Sequence, residues 1–120
     1  MMTGLIEEIN EADLRKVLDE NEVVIVDFSA TWCGPCRIQH AQLEVLQKKY
    51  QGKGVKVVSI DIDKNRLMAE RIKIYAVPTL QIYHNGKLQE FPENMEEPDR
   101  FVGVQREDTL SKICDRLLGS

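Results

Sequence analysis

Two cysteines separated by a glycine and a proline, in the run Trp32-Cys33-Gly34-Pro35-Cys36, are the residues of this chain best suited to chemistry. Two intervening residues close a small ring that can open again, so the pair can exchange two electrons by reversible thiol–disulfide chemistry. Zinc binding is the competing use of such a pair. A structural zinc site needs about four ligands, commonly as a second close pair, and the remaining candidates, His40, His84 and Cys114, lack paired spacing. Haem attachment needs a histidine directly after the second cysteine, and Arg37 stands there.

What a thiol does depends on where the chain holds it. Upstream, Val23-Val24-Ile25-Val26 followed by Asp27 and Phe28 is the pattern of a strand buried on both faces. Downstream, Ile38, Ala41, Leu43, Val45, Leu46 and Tyr50 recur at roughly helical spacing, which predicts a helix beginning near Cys33 or Gly34 and ending near Tyr50. The cysteines then sit on a first helical turn, whose free N–H groups carry partial positive charge and favour a thiolate over a thiol. Cys33 is expected to be the activated sulfur. Pro35 suits a first turn, where its missing N–H costs nothing, and its fixed φ helps hold Cys36 within bonding distance. In the expected exchange a Cys33 thiolate attacks a substrate disulfide, and Cys36 then attacks Cys33 to release the reduced substrate. Asp27 is a carboxylate inside an apolar run, where burial without partners raises its pKa; a turn-capping aspartate is the plainer reading.

Composition narrows the setting. A chain of 120 residues makes one domain with a real core. Its 16 basic and 20 acidic side chains leave a net charge of −4, which gives no electrostatic reason to expect nucleic acid or an anionic membrane as partner. Three cysteines are too few for a disulfide scaffold. Residues 1–10 show no basic segment followed by an apolar stretch, and no run approaches ~18 apolar residues, so neither a signal peptide nor a membrane span is expected. The expected location is the cytoplasm, where a Cys-X-X-Cys pair is redox-active or metal-binding rather than structural.

In chain order, residues 4–9 predict a short strand, and Asn10 with Asp13 predicts an N-cap for a helix presenting Leu14, Val17 and Leu18 and ending at Asn21. Gly52 and Gly54 close the helix that carries the cysteines. Val55–Asp61 reads as a strand, residues 66–74 as a short helix burying Leu67, Met68 and Ile72, and Thr79–His84 as a strand alternating Leu80 and Ile82 against Gln81. Asn85-Gly86 is a hairpin turn into residues 87–91. Residues 90–99, with five acidic side chains and Pro92 and Pro98, predict a loop. Phe101, Val102 and Gly103 return to the sheet, and a closing helix from about Arg106 puts Leu110, Ile113, Cys114 and Leu117 on one face. Early alternation of strands and helices followed by a hairpin implies an α/β mixed sheet covered by helices.

With its surroundings, the pentapeptide closely resembles the thioredoxins, whose hallmark is the same Trp-Cys-Gly-Pro-Cys sequence. Val26-Asp27-Phe28, Ala76-Val77-Pro78-Thr79, Asn85-Gly86 and Val102-Gly103 stand in the family's order, so the resemblance covers residues 6–118. It implies the thioredoxin fold: a single domain over residues 1–120, with a central mixed β-sheet flanked by helices on both faces. It also implies a protein-disulfide reductase in which Cys33 attacks, Cys36 resolves, Asp27 moves the proton for Cys36, and Pro78 is a cis-proline facing the cysteines. Val77 would pair its backbone with an extended substrate, and Trp32, Gly34, Pro35, Val102 and Gly103 resemble the rest of an apolar docking rim. For Trp32, core packing is the alternative. The Gly-Pro between the cysteines is similar to the reducing members of the family, whereas the isomerases usually enclose Gly-His. The implied partners are disulfide-containing proteins and a separate thioredoxin reductase, with no cofactor because the electrons reside in the sulfurs, and with the chain acting as a monomer.

Two positions depart from the family. Many thioredoxins carry a lysine near the buried aspartate where this chain has Ser59, which should leave Asp27 less compensated. Many also have a kinking proline where this chain has Ala41, so the helix is expected to run straighter. Cys114 is expected in the core as a small hydrophobe, with a regulatory thiol the alternative. His40, one turn beyond Cys36, is expected at the surface, with tuning of that thiol the alternative. The acidic loop is either a solvated insertion or, lying just before Val102-Gly103, a selector of basic over acidic substrates. A redox-inactive binding module on the same fold is the other reading of the whole chain, and retention of both cysteines argues against it.

Overall fold

The computed structural model describes residues 6–119. In chain order the elements are β1 (Glu7–Glu8), α1 (Glu11–Glu20), β2 (Val23–Ser29), α2 (Gly34–Lys49), β3 (Val55–Asp61), α3 (Arg66–Arg71), β4 (Thr79–His84), β5 (Lys87–Leu88), β6 (Phe101–Val102) and α4 (Glu107–Leu118). Five strands form the order β1-β3-β2-β4-β5, and β6 pairs with β4. β2 lies at the centre, parallel to β3 and antiparallel to β4, which accounts for the burial of all its residues from Val23 to Phe28.

Strand alternation divides the core into two layers. Val23, Ile25, Val55, Val57, Leu80 and Ile82 pack against Leu43 and Leu46 of α2 and Leu110, Cys114 and Leu117 of α4. Val24, Val26, Phe28, Val58 and Ile60 pack on the opposite face with Leu14, Val17 and Leu18 of α1 and Met68 and Ala69 of α3. Helices therefore cover both faces, as the resemblance implies. By the same alternation Asp27 and Ser59, which are direct neighbours across β2 and β3, lie on the face that α2 covers.

Most predicted boundaries hold to within a residue or two. The Asp13 carboxylate accepts the Asn10 N–H at 3.0 Å at the start of α1, and the Asn21 amide closes that helix on the Val17 carbonyl at 2.9 Å. Asn85 and Gly86 both take positive φ, 52° and 81°, as a two-residue type I′ hairpin requires. Of the strand predicted over residues 4–9, Gly4 and Leu5 lie outside the described residues, and β1 occupies Glu7–Glu8. α3 ends at Arg71 rather than Ile74, and Leu67 is exposed rather than buried. β5 stops at Leu88, while Phe91 leaves the hairpin to enter the core against Phe101, with ring centroids 4.8 Å apart.

The largest correction concerns α2. Ile38 and Val45 are 60% and 56% exposed, and Ala41 is exposed with them, while Gln39 and Gln47 take core positions. Each buried amide behaves like a short piece of strand. Gln47 donates from Nε2 to the Val55 carbonyl at 2.9 Å and accepts the Val57 N–H at 2.6 Å. Gln39 donates to the Gln105 carbonyl at 3.0 Å and accepts the Gln105 N–H at 2.6 Å. Burying a polar amide is tolerable only when its donors and acceptor are met, and a peptide group presenting both N–H and C=O meets them. α2 runs unbroken through Ala41, and Gln81 is buried, so β4 is covered on both faces.

Candidate active site

β2 ends at Ser29, and a short turn delivers Cys33 as the N-cap of α2, with Pro35 in the first turn. The cysteine sulfurs are bonded to each other, with the Cα atoms 5.3 Å apart. The Cys36 backbone N–H points at Cys33 Sγ at 3.1 Å. That donor, together with the other free N–H groups of the turn, is placed to stabilise negative charge on Cys33 once the bond is opened. Cys33 and Cys36 are themselves buried and pack with Ala30, Ile62 and Val77.

The segment before β4 reaches the same place. Cys33 Sγ lies 3.7 Å from the Val77 carbonyl oxygen, and the Val77–Pro78 peptide is cis. The Pro78 carbonyl accepts the Gly103 N–H at 2.9 Å, and Val102 pairs with Thr79 in the β4–β6 ladder. Val77, Pro78, Val102 and Gly103 are thus brought together although they are distant in sequence. Gly103 takes φ 88°, a conformation that suits glycine and disfavours a side chain. The Gln39–Gln105 pair fastens the end of this strip to α2 one turn beyond Cys36.

Trp32 is 67% exposed, which excludes the core-packing alternative. Its indole N–H donates to Asp63 Oδ2 at 2.8 Å, so the ring is held by a partner the sequence reading did not single out. Asp63 stands in the acidic Asp61-Ile62-Asp63 run that ends β3, and the Asp61 carboxylate accepts the Asp63 N–H at 2.8 Å to fix that turn. The run was the available signal. Gln39 and Gln105 were also missed, because a glutamine in a helical pattern carries no mark of burial.

Asp27 is fully buried, and neither carboxylate oxygen has a hydrogen-bond partner among the described residues. Ser59, its neighbour in register, therefore offers it none. Desolvation pushes the carboxyl from 3.8 up to about 7, so near neutral pH the group can both take and give a proton. No hydrogen bond joins Asp27 to either cysteine in this disulfide form. The turn-capping reading fails with those empty acceptors. Cys114 is fully buried and burial pushes its thiol up to about 12, as suits an inert core residue. His40 is half-exposed and sits 4.0 Å from Glu44. Among the described residues, no three His, Cys, Asp or Glu side chains are grouped to hold a metal ion, and no helix is long and apolar enough to cross a membrane.

The site is therefore a dithiol–disulfide pair at the mouth of a helix, bordered by a cis-proline segment, with a buried acid on the sheet face that the same helix covers. Comparison with known proteins gives the family to which this arrangement belongs. Residues 6–115 match the family model described as Thioredoxin. Thioredoxin 1 of Nostoc is 35% identical over 104 residues, covering 87% of this chain and 88% of that one. Mouse mitochondrial thioredoxin is 36% identical over 104 residues, again 87% of this chain but 57% of the relative's length. Among solved structures, chloroplastic thioredoxin z superposes over the full length of both chains with a TM-score of 0.81 at 27% identity. The chain belongs to the thioredoxin family.

Proposed function

We propose that this protein reduces disulfides in other proteins by dithiol exchange through Cys33 and Cys36. The observation that carries the proposal is the Cys33–Cys36 pair capping α2, with the Cys36 N–H on Cys33 Sγ and the Val77 carbonyl beside it. In the reduced protein a Cys33 thiolate attacks one sulfur of a substrate disulfide, forming a mixed disulfide and expelling the first substrate thiolate. Asp27 takes the Cys36 proton, and the Cys36 thiolate attacks Cys33 Sγ. The Cys33–Cys36 bond forms, the mixed disulfide breaks, and the second substrate thiolate leaves. Two electrons pass from protein to substrate, and a separate reductase returns them.

The extended segment of the substrate is proposed to lie along Val77 and Pro78 within an apolar rim of Trp32, Gly34, Pro35, Val102 and Gly103. An exposed Trp32 and a half-exposed Val102 support that reading, since apolar surface beside a reactive pair is where docking gains most. The protein is proposed to act as a monomer in a reducing compartment, the cytoplasm, without a bound cofactor. Reduction of a disulfide-bonded test protein with dithiothreitol as electron source tests the activity; no acceleration over dithiothreitol alone would leave only the binding-module reading. Cys36→Ser should accumulate the mixed disulfide on Cys33, seen by mass spectrometry as a covalent adduct lost on reduction.

A further inference from the structure

The acidic loop predicted over residues 90–99 exposes Glu93, Met95, Glu96 and Glu97 to solvent but is also fastened to the body of the fold. Phe91 is buried, its N–H donates to the Pro98 carbonyl at 2.7 Å, and the Asn94 amide donates to the Arg100 carbonyl at 3.0 Å. Arg100, itself buried, grips Asp99 through Nε and Nη2 at 2.8 and 3.1 Å, and donates to the Lys73 and Ile72 carbonyls at 2.7 and 2.9 Å. Those contacts join the loop to the turn after α3, and Asp99 neutralises the guanidinium. Glu96 and Glu97 are exposed and lie in no ion pair within 4 Å among the described residues, although the charge of Glu97 acts on Arg100; with Arg100 held by Asp99, the two glutamates leave this surface negative.

Carboxylates alone would be a solvated patch, but here they border a groove. Between the loop and β6 lies an open cavity of about 360 Å³ lined by Met95, Glu96, Glu97, Phe101, Val102 and Gln105, with Asn94 and Arg100, whose guanidinium is held by Asp99, completing the wall. Val102 belongs both to this groove and to the docking rim, where it is paired to Thr79 directly after Pro78. A substrate chain seated on the rim thus passes the groove's mouth. Met95, Phe101 and Val102 offer apolar surface to an aliphatic stem, and Glu96 and Glu97 offer charge to a cationic head.

We propose that this groove is a specificity pocket that receives a lysine or arginine side chain flanking the substrate's disulfide. The inference rests on the disulfide-reductase reading above and names the substrate class it favours: disulfides with basic neighbours. Two otherwise identical cystine peptides, one flanked by lysines and one by glutamates, test it with dithiothreitol as donor. At low salt kcat/KM should favour the lysine peptide by roughly fivefold, the scale of one or two exposed ion pairs, and the preference should fade at ~0.5 M salt. The double variant Glu96→Gln/Glu97→Gln should abolish the preference while leaving the fold intact, since both side chains are exposed. Glu90→Gln/Glu93→Gln, an equal change in net charge on the same loop outside the groove, should keep it. Equal loss in both double variants, or no loss in the first, overturns the groove. Failure of the wild type to reduce either peptide faster than dithiothreitol alone would instead overturn the reductase reading and this inference with it.

Discussion

Asp27→Asn should stabilise the oxidised protein at alkaline pH and do so by an amount that grows with pH. In the folded chain the carboxyl is buried without a partner and sits at about 7, against an ordinary 3.8. Between those values the native state holds a proton that the unfolded state has lost, so unfolding free energy falls as pH rises. The sign follows from the raised pKa: the stabilising contribution of the neutral acid is complete below about pH 4 and lost as pH rises through about 7. Its full size is about 4 kcal/mol, at about 1.4 kcal/mol per pH unit. Asparagine has the shape of the neutral acid and no charge to bury, so it avoids that loss. Urea unfolding followed by far-ultraviolet circular dichroism, at several values from pH 4.5 to 8.5, measures both proteins with the disulfide intact. The variant should be near parity at the acid end and more stable by about 2–4 kcal/mol at pH 8. If the two stability curves run parallel, within about 0.5 kcal/mol across the range, the carboxylate does not carry a raised pKa and its part in moving a proton near neutrality loses its basis. The same variant should also slow release of the mixed disulfide, because no base remains for Cys36.

Gln47→Leu should cost about 2–4 kcal/mol in urea unfolding, since an apolar side chain leaves the Val55 carbonyl and Val57 N–H of β3 buried without partners. Val45→Gln, on the exposed face of the same helix, should change stability by no more than about 0.5 kcal/mol. Brief iodoacetamide treatment of the reduced native protein near neutral pH should label Cys33 first and leave Cys114 unlabelled, because Cys114 is buried and its thiol stands at about 12. Mass spectrometry of the digested protein reads both positions, and early labelling of Cys114 would contradict the packing of α4.

The course of the chain was legible because its strongest signals are local. Val23 to Phe28 is apolar on both faces and forms the central strand; Asn85-Gly86 demands a left-handed pair and makes the hairpin; Cys33, Gly34 and Pro35 mark a helix start. The cysteine chemistry needed only five adjacent residues. Assembly of the rim could not be read that way. Val77 meets Cys33, and Gly103 meets Pro78, only through the β2–β4–β6 pairing, and periodicity along the chain does not give that strand order.

α2 shows why helical spacing misassigned residues that the structure places clearly. Spacing counts apolar side chains and treats amides as outward-facing, yet this helix lies across peptide groups of β3 and of the Gln105 turn that have no strand beside them. Glutamine satisfies such a group with both its donor and its acceptor, so Gln39 and Gln47 go inward and the register of the helix follows. Ile38, Ala41 and Val45 are turned out by the same rotation. The arrangement also bears on function. Gln39 stands three residues after Cys36 and clamps the segment that carries Val102 and Gly103, so the helix that bears the thiols and the strip that borders them are held as one unit. The spacing between the cysteine-bearing helix and the Val102-Gly103 strip is thereby set by a pair of hydrogen bonds, which an aliphatic residue at position 39 could not supply.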